Sequence, residues 1–82
     1  MNFILNKNED CAFNCAFVKK FSVEFGRRYG KNNVLVACVD AELDDKRSIM
    51  LEEFDSGNAN ENYRAGKKYL VDLVGKLNEV TT

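Results

Sequence analysis

A small α+β domain, in which an antiparallel sheet of three to four strands is packed by helix, is what this chain predicts. Two observations carry that reading. Three apolar runs have strand character, Phe21 to Phe25, Val34 to Val39 and Ile49 to Phe54, and one amphipathic stretch follows from about Asn60 to Val80. The 82 residues contain no proline and no Ser- or Gly-rich run that would mark a linker, so residues 1–82 are expected to form one domain.

The elements can be justified in order. Met1 to Leu5 offers a further short strand through Phe3, Ile4 and Leu5. The segment from Asn8 to about Lys20 fits two templates. Cys11, Phe13, Cys15 and Phe17 alternate as in a strand, whereas Phe13, Ala16, Phe17 and Phe21 share one helical face. Helix is favoured, because Asn8 can cap it and Glu9 and Asp10 suit the positive end of its dipole. The expected order is therefore α-β-β-β-α.

Phe21, Val23 and Phe25 alternate with Ser22, Glu24 and Gly26, the pattern of a strand with one buried and one wet face. Val34 to Val39 is apolar on both faces and reads as a central strand needing cover on each side. That cover would come from the N-terminal segment or from a second copy of the chain. Ile49, Met50 and Leu51 pass into Glu52, Glu53 and Phe54, where the charges suit an edge strand. Gly57 with Asn58, Asn60 and Asn62 breaks the chain before the last helix, as Gly30-Lys-Asn-Asn33 does before the central strand. In that helix Tyr63, Gly66, Leu70, Leu73, Val74, Leu77 and Val80 fall on an arc of about 140°, and Gly66 on the apolar side would admit a close approach to the sheet.

Composition excludes much chemistry. Histidine is absent, which removes the usual base near neutral pH, every Ser-His-Asp or Cys-His arrangement and the commonest transition-metal ligand. Cys11, Cys15 and Cys38 are read as reduced, buried thiols, since a structural zinc site takes four Cys or His ligands. Asp40, Glu42, Asp44 and Asp45, placed in the turn between the second and third strands, lack the glycine and terminal glutamate of a calcium loop. The glycines never approach the spacing of a phosphate-binding loop. No catalytic residue, metal or cofactor is expected. With no spanning segment and no signal-like start, the expected setting is cytoplasmic, with no membrane partner.

Charge is balanced overall, with twelve basic and thirteen acidic side chains and a net charge of −1, but not locally. Lys19, Lys20, Arg27, Arg28 and Lys31 against Glu24 leave +4, whereas seven carboxylates between Asp40 and Asp55 against Lys46 and Arg47 leave −5. Two such lobes suit a partner carrying its own charge pattern. The expected contact residues are Arg27, Arg28 and Lys31 on one side and Asp40, Glu42, Asp44 and Asp45 on the other, with Tyr29 as an aromatic anchor.

The order helix, three strands, helix resembles the topology of double-stranded-RNA-binding domains. Phe21-Ser-Val-Glu-Phe-Gly26 is similar to their first strand, and Ser56-Gly57 with Arg64-Ala-Gly-Lys-Lys68 is loosely similar to the start of their second helix. Here the lysine pair comes about one turn late, and the hairpin is acidic. That resemblance implies nucleic-acid binding through Lys19, Lys20, Arg27, Arg28, Lys31, Arg64, Lys67 and Lys68, which is the alternative reading. The leading one is a non-enzymatic protein that occupies a surface of a larger protein or ribonucleoprotein. In size and plain composition the chain also resembles the small inhibitors that phages and mobile elements make against host defences, such as anti-CRISPR proteins, although no motif carries that likeness.

Overall fold

The computed structural model describes residues 3–80, apart from the side chains of Arg27 and of residues 78–80. β1 (Phe3–Leu5) and β2 (Ala12–Asn14) form an antiparallel hairpin, and a short 3-10 turn (Cys15–Phe17) leads into β3 (Val18–Tyr29). β4 (Leu35–Leu43) and β5 (Ser48–Phe54) complete a three-stranded antiparallel meander in the order β3-β4-β5, and α1 (Ala59–Val80) closes the chain. The architecture is α+β, with antiparallel sheets and a C-terminal helix. It differs from expectation in two respects: among the described residues no N-terminal α-helix forms, and five strands are divided between two sheets.

The helix is lost because residues 6–11 close a turn. The Asn6 Oδ1 accepts from the amides of Asp10 and Cys11 at 3.1 and 3.2 Å, and the Asn6 amide donates to the Cys11 carbonyl at 3.1 Å. Glu9 adopts a φ of 59°, outside any right-handed helix. Ile4 then pairs with Phe13, so a strand forms over Ala12–Asn14. Asn14, and not Asn8, does the capping: its Oδ1 accepts from the Ala16 amide at 2.9 Å and starts the 3-10 turn, which leaves Phe17 exposed. The α-β-β-β-α order shared with double-stranded-RNA-binding domains is therefore absent. The expected strand from Met1 is realised as Phe3–Leu5, and Met1 itself lies outside the described residues.

β4 is the central strand, with Val36 to Val39 all buried. Its Ala37, Val39 and Ala41 stand level with Phe25, Val23 and Phe21 on the face that receives α1. The β1–β2 hairpin joins the helix on that same face. Ile4 clusters with Val39, Ala41, Leu43, Ile49 and Leu51, and Phe13, Tyr69, Leu73 and Leu77 pack against them. The opposite face, expected to be covered, gains no second layer from the described residues. There Val36 and Cys38 are sealed within the sheet: a Cβ on Gly26 would lie 2.8 Å from Val36 Cγ2 and 3.1 Å from the Cys38 sulfur, so the strands close over them.

Local chemistry fixes where the helix starts and how it sits. Asn58 caps it, its Oδ1 accepting from the Glu61 amide at 3.1 Å. Asn62, fully buried, bonds to Ser56 and to the carbonyl of Leu35 at the head of β4. One turn on, Gly66 meets the sheet so closely that a Cβ would sit 2.8 Å from Val23 Cγ1 and 3.7 Å from Val39 Cγ2. Consequently the buried stripe runs through Asn62, Gly66, Tyr69, Leu73 and Leu77. It is rotated from the expected arc, so Tyr63 and Val74 are exposed.

The two helical glycines should therefore respond oppositely to alanine. Gly66→Ala gains up to about 1 kcal/mol of helix propensity but overpacks against Val23, for a net loss of about 1–2 kcal/mol. Gly75 has nothing within 4 Å of the added methyl, so Gly75→Ala gains up to about 1 kcal/mol. Urea unfolding of both variants checks this, and shifts of the same sign would contradict the docking described.

Candidate functional site

The end of the sheet that holds the helix N-terminus presents aromatic surface. Phe25, on the helix-bearing face of β3, stacks on Tyr63 with centroids 5.3 Å apart and planes inclined by 22°. The Lys67 ammonium lies over the same Tyr63 ring at 5.5 Å from its centroid. Tyr29, at the end of β3, is 61% exposed, and Phe25 and Tyr63 are 47% and 36% exposed. Sequence reasoning had placed Phe25 inside, on strand alternation. The signal against that lay in Gly26 and Arg27, which end the alternation just beyond it.

The expected contact residues fall in three places. Arg28, Tyr29 and Lys31 sit at the aromatic end, where the side chain of Arg27 lies outside the described residues. Arg28 is held there by Glu53, with its Nε 3.2 Å from Oε1, and by Asp55 at 3.6 Å; the carboxylates raise its already high pKa, the Glu53 hydrogen bond most. Asp55 also accepts from the Lys31 amide at 2.8 Å. Asp44 and Asp45 lie at the opposite end in the β4–β5 turn, about 26 Å away along β4. Asp45 accepts from the Arg47 backbone amide at 3.1 Å and from its side chain at 2.6 Å, which holds its carboxyl below the usual range.

Asp40 and Glu42 are not in that turn, because β4 runs on to Leu43. They stand on the open face, where Glu42 meets Lys20 at 3.6 Å. The antiparallel meander thus folds acidic β4 and β5 back against basic β3, and the linear charge lobes are partly cancelled by pairing. Sequence counting could not register that, since Lys20 and Glu42 are opposed only by strand register.

The open face has Cys38 at its centre, flanked by Glu24 on β3 and Glu53 on β5. Burial pushes its thiol pKa up, and Asp40 adds to this. Burial likewise raises the Asp40 carboxyl, with a further push from Glu24. Of the three thiols only Cys38 is buried; Cys15 is half-buried and Cys11 is exposed, because it precedes β2 in the turn rather than facing a core from a helix. Among the described residues no group of three or more metal-ligating side chains is gathered. A groove of about 510 Å³ lies between the hairpin and the distal half of α1, lined by Ile4, Leu5, Leu51, Tyr69, Leu73 and Leu77 among others.

No protein-family model, curated protein or solved structure matches this chain. Function must therefore be argued from these side chains, since a fold does not by itself carry one. Among the described residues no helix is long and apolar enough to cross a membrane. What the aromatic end can do chemically is bind. It offers rigid apolar rings beside cationic groups.

Asp40 generates a prediction about pH. Its folded pKa lies above the unfolded value, so the folded state binds its proton more tightly, and stability attributable to this group falls as pH rises from 3.8 through that raised value. Glu24, Glu42 and Glu53 share its face, with Lys20 the nearby cation. Asp40→Asn should raise the urea midpoint at neutral pH, with the advantage shrinking as pH falls toward 3.8. An advantage that is absent at neutral pH, or that grows on acidification, would contradict the assignment.

Proposed function

We propose that the chain is a non-enzymatic binding protein that docks the aromatic and basic end of its sheet onto a larger protein or ribonucleoprotein. The observation that carries this is the Phe25–Tyr63 stack with Lys67 over it, standing at the surface beside exposed Tyr29. Aromatic rings pre-set by stacking lose little conformational freedom on binding, and Tyr and Arg are the usual energetic centres of interfaces. Lys31 supplies charge at the rim, and Arg28 at the same end of the sheet is paired with Glu53 and Asp55. The absence of histidine and of any nucleophile–base motif from the sequence supports action by contact rather than by turnover.

In its most specific form, the partner is part of a host defence system and the chain is an inhibitor of the kind phages make. Only size and composition support that form. The rival reading, direct nucleic-acid binding, draws on the same aromatic and basic groups, because bases stack on exposed rings.

Affinity capture from lysate of the native host, with and without nuclease, separates these. The expected result is a protein retained after nuclease treatment by the wild type and weakened about tenfold or more by Tyr29→Ala with Lys67→Glu. Capture that is unchanged by both substitutions would overturn the assigned surface. Capture that is lost on nuclease treatment, together with steeply salt-dependent binding of duplex RNA, would favour the rival.

A further inference from the structure

The two edges of the meander are unlike. At β5 the Lys7 amide, from the turn of the hairpin, donates to the Met50 carbonyl at 2.8 Å, so that edge is partly occupied. At β3, no backbone hydrogen bond from the described residues, other than those to β4, reaches residues 19–29. A regular edge presents a row of amide and carbonyl groups ready to pair with another strand. Between irregularities at Val18/Lys20 and Phe25/Tyr29, β3 runs without a bulge from Lys20 to Phe25.

That window is complementary to itself. When two copies pair antiparallel about a twofold axis and keep their helices on one side, residues pointing to the same face must oppose each other. An axis at Ser22 sets Lys20 against Glu24 of the second copy, and Glu24 against its Lys20, on the open face. On the helix-bearing face it sets Phe21 against Val23, twice. An axis at Glu24 would oppose Glu24 to itself and Lys20 to Arg28, which repel. Axes at Phe21 or Val23 would leave Lys20 opposite Ser22 or Gly26, without a carboxylate. Of these, the Ser22 axis alone matches each charge with its opposite.

Gly66 lies against Val23, Val39 and Phe54, and α1 runs chiefly over β4, so the helix stands back from the β3 edge and leaves it open to a second strand.

We propose that the chain forms a twofold dimer in which β3 pairs with β3 of a second copy about Ser22, giving a continuous six-stranded sheet with both helices on one face. This goes beyond the docking function and does not depend on it. Tyr29 lies outside the paired window, so the dimer holds its two Tyr29 rings about 45 Å apart along the strands.

Sedimentation equilibrium on four proteins tests this: the wild type, Lys20→Glu, Glu24→Lys and the doubly exchanged variant. Each single change places like charges opposite one another twice, so each should weaken the dimer about tenfold or more, and the double exchange should restore wild-type affinity within about threefold. Circular dichroism confirms that every variant is folded, and the exposed positions of Lys20 and Glu24 favour that. A wild type that stays monomeric at about 100 μM would overturn the proposal, as would single variants that dimerise normally. So would weakened single variants that the double exchange fails to rescue.

Discussion

One buried amide holds the layers of this protein in register. The Asn62 side chain is fully enclosed, yet both its polar atoms are hydrogen-bonded, to partners in two different segments. Its oxygen accepts from the Ser56 amide at 2.6 Å and the Ser56 hydroxyl at 2.7 Å, and its nitrogen donates to the Leu35 carbonyl at 3.0 Å. It therefore joins the loop leaving β5, the first turn of α1 and the head of the central strand. A buried amide of this kind is directional where apolar packing is not, since leaving any one group unpaired costs about 1–3 kcal/mol. The rotation of the helix follows from it. With Asn62 facing Leu35, Gly66 must face Val23, Tyr69 approaches Phe54 edge-on at 6.0 Å, and Tyr63 is swung out over Phe25.

That rotation produces an asymmetric molecule. Helix and hairpin both cover one face of the sheet, where Ile4, Val39, Ala41 and Leu51 form the core. Among the described residues the other face is closed only by its own strands, tightly at Gly26 and with carboxylates around Cys38. Desolvation there works against ionisation of Asp40 and of Cys38 alike. The surfaces left for other molecules are thus the aromatic end, where the helix begins, and the free margin of β3. Each exists because a single helix cannot span a three-stranded sheet.

The strands and the final helix were legible because their signals are local. Alternation at Phe21 to Phe25, an unbroken apolar run at Val34 to Val39, and the breaker cluster at Gly57 and Asn58 each point to one answer. Gly66 was also legible as a close approach, being a small residue on an apolar stripe. The Asn8 to Lys20 segment was not, because its helical and alternating templates score alike and the choice depends on Phe3 to Leu5 being at hand to pair with it. Asn62 was read as a breaker, when its side chain is the pivot of the core. Burial of an amide depends on partners such as Leu35, 27 residues away in sequence. The contact residues show the same division. Tyr29 is an exposed ring as expected, whereas Asp40 and Glu42 moved from a turn to a strand face, and Arg28 acquired counterions that only strand pairing brings near it.

The most direct measurement is the stability of Asn62→Leu, a change that keeps the branched shape and the number of side-chain heavy atoms but removes every hydrogen bond of the pivot. Urea unfolding should show a loss of about 2–4 kcal/mol relative to wild type, with the Leu35 carbonyl and Ser56 amide left unpaired inside. A loss below about 0.5 kcal/mol, the scale of an ordinary surface substitution, would mean that apolar packing alone sets the helix in place and would contradict this account.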